Sequence, residues 1–373
     1  MKLVFVIFSV QMGGAERVMS TMANYWAQRG HVVSIITLCG IEADFYPLSP
    51  NITRITLGGA QPSANILQAL LGNLSRILIL RGALRKLTPD VVISFTTRIN
   101  VMTLLATRGL GVPVLVSERC DPSQLKLPWF WKALRRRVYP RAEHVVVQCQ
   151  QALQNANGLL GRSHFAVIAN PVVEDDPGVV RHEGVSLHIQ FGLPPHTRIV
   201  MGLGRFELQK GFDLLIRAYA KIADVYPDWR LVLVGDGTQT PALQRLVEQH
   251  HLRGRVLMPG RARHSRSWLR QADLFVFPSR FEGFPNALLE AMACGLPVVS
   301  FDCPSGPGEI IEHGRNGLLV EPQNISALTE SMGMLMENAE LRHRLASQAQ
   351  DVLQRFSLAR IMSLWESILP EAH

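Results

Sequence analysis

The sequence predicts two doubly wound α/β domains, and three observations predict them: the length, an alternation of short β-branched runs with helical patterns, and one break in that alternation near residue 173. At 373 residues and 47% hydrophobic, the chain can bury a large core yet exceeds what one core usually organises. Apolar runs bounded by turn residues and separated by helical periods are the pattern of parallel sheets wrapped by helices. The expected boundaries are a first domain over 1–172, a linker over 173–193 and a second domain over 194–373.

In the first half the strand-like runs are Lys2 to Val10, Val32 to Leu38, Val91 to Phe95, Val114 to Ser117, His144 to Val147 and Phe165 to Ile168. Their near-continuous apolar character argues that each is covered on both faces. Met1 to Val10 is far shorter than the ~20 residues a spanning helix needs, and it runs into Gly13 and Gly14 rather than a cleavage site, so it reads as a buried strand. Ile66 to Leu87 is broken by Arg76, Arg81, Arg85 and Lys86 at helical spacing, which predicts an amphipathic helix rather than a span. The alternation pauses at Asn170-Pro171 and is lost from Val173 to Leu193, where Glu174, Asp175, Asp176, Pro177 and Gly178 are polar and turn-rich. It restarts with Ile199 to Leu203, Arg230 to Val234, Val256 to Met258, Leu274 to Phe277 and Pro297 to Phe301. From Ile325 to Leu369 the pattern is helical, and a terminal helix can pack back on the first domain.

A formal charge of +8 suits an anionic partner: nucleic acid, nucleotide phosphate or acidic lipid. The five cysteines are odd in number and include no C-x-x-C pair, so neither a disulfide framework nor a zinc site is indicated, and a reduced cytosolic compartment fits. The chain also lacks D-x-D and H-E-x-x-H, so no metal is expected.

Three loops at strand ends carry candidate chemistry, because ligands of open α/β sheets sit beyond the carboxyl ends of the strands. In the first, Gly13 and Gly14 lie between the first strand and the first helix, followed by Glu16 and Arg17. Glycines there let backbone N–H groups approach a phosphate or sugar, although a tight turn alone also explains them. In the second, Gly204-Arg205 through Lys210-Gly211 offers two cations where a diphosphate could sit. Such cations can stabilise a departing nucleoside diphosphate in place of a metal ion; two solvated cations flanking a turn are the alternative. The third and most informative loop is Ser279-Arg280-Phe281-Glu282-Gly283-Phe284-Pro285-Asn286-Ala287, which leads into a helix carrying Glu290. Glu282 in the turn and Glu290 about one helical turn inside lie close enough for one ligand to span both. A solvated helix face explains Glu290 alone but not the whole string.

Glu282 through Glu290 resembles the E-x7-E motif of the retaining, GT-B-fold glycosyltransferases grouped as family 4, and the resemblance covers nearly the whole chain. Gly13-Gly14-Ala15-Glu16 looks like their glycine loop, Asn170-Pro171 like their interdomain segment, and Arg205 with Lys210 like their diphosphate clamp. The resemblance implies two Rossmann-like domains facing across a cleft, the first binding acceptor and the second a nucleotide sugar. It implies that Glu282 contacts the donor sugar, Glu290 the ribose, and the Gly283, Phe284, Pro285, Asn286 and Ala287 backbone the sugar hydroxyls and phosphate. Arg205, Lys210 and Glu282 become the catalytic set, with Gly13 and Gly14 also on the donor. Glu16, Arg17, Arg98, Glu118 and Arg119 are expected on the acceptor side. Many members carry a histidine in the first-domain loop, where this chain reads Ser117-Glu118-Arg119-Cys120-Asp121-Pro122, similar to a subgroup that builds bacterial surface glycans. Structural salt bridging of Glu118 with Arg119 or a neighbour is the other reading of that string.

The implied reaction moves a sugar from a nucleotide donor, with UDP favoured, to a polyprenyl-diphosphate-linked or other lipid-linked glycan, with no metal or cofactor. A non-catalytic nucleotide- or glycan-binding scaffold and a nucleotide-sugar epimerase are the rival readings. Leu125 to Tyr139 interleaves Trp129, Phe130 and Trp131 with Lys126, Lys132, Arg135, Arg136 and Arg137. That pattern favours an anionic membrane surface over nucleic acid, placing the protein on the inner face of the cytoplasmic membrane. A buried amphipathic helix with a basic edge is the alternative.

Overall fold

The computed structural model describes residues 1–58, 66–125, 127–161, 163–173, 186–262 and 265–371. The chain forms two compact units, Met1–Pro171 with Ile361–His373, and Val172–Arg360.

In the first unit seven strands form one parallel sheet: β1 (Lys2–Ile7), β2 (Val32–Thr37), β3 (Thr53–Thr56), β4 (Val91–Phe95), β5 (Val114–Ser117), β6 (His144–Val147) and β7 (Phe165–Val167). Their order is β3-β2-β1-β4-β5-β6-β7, so the winding reverses between β1 and β4. Register is fixed by continuous apolar strands, with Leu3 opposite both Val33 and Val91. Phe5 packs its ring against Trp26 and Phe95 at 5.8 and 6.1 Å, tying β1 to the helix Gly14–Gln28 on one side and to β4 on the other. The helix Thr97–Ala106 is buried on nearly every side, Asn100 and Thr103 included.

The second unit holds β8 (Arg198–Leu203), β9 (Trp229–Val234), β10 (Val256–Gly260), β11 (Leu274–Phe277), β12 (Val298–Phe301) and β13 (Leu318–Val320), ordered β10-β9-β8-β11-β12-β13 and parallel throughout. Its winding reverses between β8 and β11. Phe212, Leu215 and Tyr219 of the helix Phe212–Ala220 pack with Leu328, Met332 and Leu335 of the helix Ile325–Glu337 over that sheet.

Two doubly wound halves are as the sequence predicts, with two strands added. The sequence Thr53-Arg54-Ile55-Thr56 is too polar to read as a buried run, because β3 is an edge strand and half-exposed. β13 escapes notice because it is three residues long. The linker residues 174–185, with Glu174, Asp175, Asp176, Pro177 and Gly178, lie outside the described residues, as does Lys126. Farther along the expected linker, Leu187–Gln190 is a short helix fastened to the second unit by the Leu187 N–H, which donates to Gln271 Oε1 at 2.7 Å.

Candidate active site

In a doubly wound sheet, the loops that leave the two strands flanking the winding reversal diverge and open a crevice. In the second unit those loops follow β8 and β11, and they hold the two strongest sequence motifs. The loop after β8 is shaped by Gly211, whose φ of +66° is left-handed and whose missing side chain lets it sit against the Pro278 carbonyl; a Cβ there would lie 1.9 Å from that oxygen. Three further ties hold the loops together. The Arg280 N–H donates to the Gln209 carbonyl at 2.8 Å, Gln209 Nε2 to the Phe281 carbonyl at 2.9 Å, and Arg280 forks onto Asp213 at 2.7 and 2.8 Å.

Within this frame Lys210 Nζ donates to Glu282 Oε1 at 2.6 Å, with side-chain exposures of 18% and 6%. The ammonium also lies 5.4 Å from the centre of the Phe277 ring at the end of β11. Glu282 is fixed from behind by its own N–H, which donates to the Pro304 carbonyl at 3.1 Å. Arg205 is exposed on the same loop as Lys210, and its charge helps Thr238 hold the Glu207 carboxyl below its usual range, the Thr238 hydroxyl bond being the larger cause. Burial, and then the Glu282 carboxylate, push the Cys303 thiol far above its ordinary range, which leaves it an inert neighbour of the pair.

Gly283, Phe284 and Pro285 are buried and run directly into the helix Asn286–Ala293, whose first turn contains Asn286 and Ala287. Glu290 is buried on that helix and accepts from the Ser265 hydroxyl at 2.8 Å. Ser305 and Gly306 both take positive φ, +67° and +124°, and Gly306 packs so closely on Pro285 that a Cβ would meet its ring at 2.5 Å. Backbone held in this way marks sites where position outweighs local comfort. The sequence motifs gave no role to Gln209 and did not include Ser265 or the Cys303–Gly306 turn. The dense Pro and Gly after β12 was the available signal for the last of these.

The first unit has its own reversal, between β1 and β4. Gly13 caps the helix Gly14–Gln28 in extended conformation, and its carbonyl accepts from the Tyr46 hydroxyl at 3.0 Å and the Arg17 N–H at 3.0 Å. Gly14 is exposed, and Glu16 lies in the first helical turn, where a carboxylate complements the helix dipole. Arg98 is exposed beyond β4, with its guanidinium 5.9 Å from the Trp131 ring centre.

Glu118 differs from the acceptor-facing position expected for it. It is 2% exposed, and its carboxylate points inward, accepting from the Thr97 hydroxyl at 2.7 Å and from the Tyr139 hydroxyl. Its ionic neighbour is Arg135 at 4.0 Å rather than Arg119. Burial pushes the Glu118 carboxyl above its usual range, against the opposing pull of Arg135, Tyr139 and Thr97. Arg119, next in sequence, points elsewhere: its Nη1 donates to Asn170 Oδ1 at 2.6 Å, and its guanidinium covers the Phe95 ring at 4.8 Å.

Two family models match the chain without overlapping. Residues 13–171 match the glycosyl transferase 4-like domain, and residues 186–352 match glycosyl transferases group 1. Among similar proteins, an uncharacterized glycosyltransferase of Haemophilus influenzae is 25% identical, over 99% of each chain. The N-acetylgalactosamine-N,N'-diacetylbacillosaminyl-diphospho-undecaprenol 4-alpha-N-acetylgalactosaminyltransferase of Campylobacter jejuni is 26% identical, covering 96% of this chain and 97% of that one. In fold, Anabaena Alr3699/HepE, solved in complex with UDP and glucose, superposes with a TM-score of 0.80 at 22% identity, over 99% of each chain. Each half of this chain therefore has the Rossmann-like architecture of the GT-B fold.

Proposed function

We infer the reaction from one premise: the chain belongs to the glycosyltransferases that join a 4-like half to a group 1 half. The reaction is transfer of a hexosyl or N-acetylhexosaminyl unit from a nucleoside diphosphate sugar, UDP favoured, to a lipid-linked glycan, with retained anomeric configuration. The observation that carries this reading is the Lys210–Glu282 pair, held across the reversal between β8 and β11. A cation fixed there before reaction stabilises charge as it develops on the departing diphosphate. Glu282 orients that cation and presents its other oxygen toward sugar hydroxyls.

In the bond change, the C1–O bond to the β-phosphate breaks and its electron pair leaves with the nucleoside diphosphate. The acceptor oxygen bonds to C1 on the same face, and its proton passes to the departing phosphate oxygen. Glu290 holds the ribose, and the Asn286–Ala293 first turn binds hydroxyls and phosphate. The lipid-linked acceptor is proposed from the diphospho-undecaprenol substrate in the name of the Campylobacter relative.

Because Lys210 and Arg205 supply the positive charge, transfer is expected to continue at an undiminished rate in excess EDTA. A complete loss of activity that Mg²⁺ or Mn²⁺ restores would contradict this mechanism.

A membrane face on the first unit completes the proposal. No helix among the described residues is long and apolar enough to cross a bilayer. On the helix Trp129–Val138, Trp129 is 81% exposed beside exposed Phe130, Lys132, Arg136 and Arg137. Arg135 departs from the expected basic surface: with Trp131 and Val138 it forms the buried stripe, and it faces Glu118. The helix Ile66–Leu87 exposes Leu71, Leu74 and Leu78 and carries Arg85 and Lys86 at its end. Right-handed crossovers put both helices on one side of the sheet, with Thr97–Ala106 packed against each. Exposed aromatics and leucines enter the headgroup region while the cations meet anionic lipid. Converting Lys132, Arg136 and Arg137 to Gln is expected to weaken binding to anionic vesicles by on the order of 100-fold, at about 1 kcal/mol per cation. Equal sedimentation with neutral and anionic vesicles would exclude the electrostatic part.

A further inference from the structure

At the first sheet's reversal, the guanidinium of Arg119 is met by residues that follow or end three other strands. Phe95, the last residue of β4, lies beneath it. Asn170, beyond β7 and 4% exposed, fixes its Nη1. Glu16, beyond β1, acts on it through its field, and Arg119 itself follows β5 by two residues. The remaining nitrogens, Nε and Nη2, are buried and have no hydrogen-bond acceptor among the described residues. These two atoms form the side-on edge of the guanidinium, which takes an oxyanion through two parallel N–H bonds.

Leaving charged donors buried without partners is costly, so such an edge calls for an explanation. Arg342 shows the paired alternative, since its buried Nη1 donates to the Leu335 and Met336 carbonyls. Arg135, Arg230 and Arg255 also bury an unpartnered Nε, but among the described residues Arg119 alone leaves both Nε and Nη2 open. Burial drives the Arg119 pKa down to about 9, with Glu16 pulling it back up, so it stays cationic at neutral pH. The residue as a whole is part-exposed, which puts the guanidinium just under the surface rather than in the core. A held, charged and unanswered fork at a winding reversal is a ready oxyanion site.

We propose that the Nε/Nη2 edge of Arg119 binds a phosphate group of a substrate at the reversal between β1 and β4. The proposal rests on the transferase reading, which supplies two sources for that phosphate: the lipid-linked acceptor and the nucleotide donor. Asn170 is a positioning residue that holds the fork in place.

The test measures binding to the full chain by tryptophan fluorescence, with farnesyl diphosphate, farnesol and UDP as probes, for wild type, Arg119→Gln and Arg119→Lys. An acceptor phosphate predicts that Arg119→Gln weakens farnesyl diphosphate about 10- to 100-fold and leaves farnesol and UDP within about two-fold. A donor phosphate predicts the same loss for UDP instead. Arg119→Lys keeps the charge without the fork and is expected to fall between wild type and Gln. Unchanged affinity for both phosphate probes in Arg119→Gln, or in Arg119→Lys should the Gln variant not fold, overturns the proposal. A failed transferase reading shows separately, as wild-type protein that transfers no sugar from UDP-, GDP- or ADP-sugars.

Discussion

Lys210→Ala and Arg205→Ala are each expected to reduce turnover by about 100- to 1,000-fold, the usual consequence of removing one preorganised charge from a developing anion. The two variants should differ in stability. Arg205 is exposed, so its removal should leave the unfolding midpoint almost unchanged. Lys210 is the 2.6 Å partner of a Glu282 side chain that is 6% exposed, so Lys210→Ala leaves a buried carboxylate unpaired and should also lower the midpoint. Turnover is therefore compared at a temperature where circular dichroism shows both variants folded. Near-normal turnover in both would remove the diphosphate clamp from the account.

Glu282→Gln should retain weak activity, lowered about 10- to 100-fold, whereas Glu282→Ala should fall further. The amide keeps an oxygen that can accept from Lys210 Nζ and from a sugar hydroxyl, but it loses the charge that fixes the ammonium. A nucleophilic role predicts otherwise: glutamine cannot form the ester, so the Gln and Ala variants would be equally dead. The same distinction applies to the wild type, where no glycosyl adduct on Glu282 should accumulate with donor alone. Intact-protein mass spectrometry reads this directly.

The individual strands of both sheets are elements that the sequence displays openly, because parallel strands covered on both faces are continuous apolar runs such as Val91 to Phe95, whereas their order is set by the crossovers. The edge strand β3 and the three-residue β13 lack that signature. Within the site, motif spacing identified Lys210 and Glu282 separately and the family resemblance placed them in one set, but their direct contact across 72 residues comes from the sheet order. The Arg119–Asn170 bond, across 51 residues, was hidden for the same reason. Arg135 is a different case. Trp131, Arg135 and Val138 stand at i, i+4 and i+7, the spacing of one helical face, so its burial was legible, but three consecutive arginines read more readily as a surface cluster. Glu118 could not be read correctly from its neighbours in sequence, since Thr97, Tyr139 and Arg135 all come from other elements.

Transfer with retained anomeric configuration is the central claim, and the configuration of the newly bonded anomeric carbon tests it most directly. Wild-type protein is supplied with an α-linked UDP-sugar and a lipid-linked acceptor, and the product's anomeric proton signal is followed by NMR from the first turnovers. The account predicts an α-linked product from the outset, with the small coupling of a retained centre for a gluco- or galacto-configured sugar. A β-linked product would mean attack from the opposite face and would contradict it.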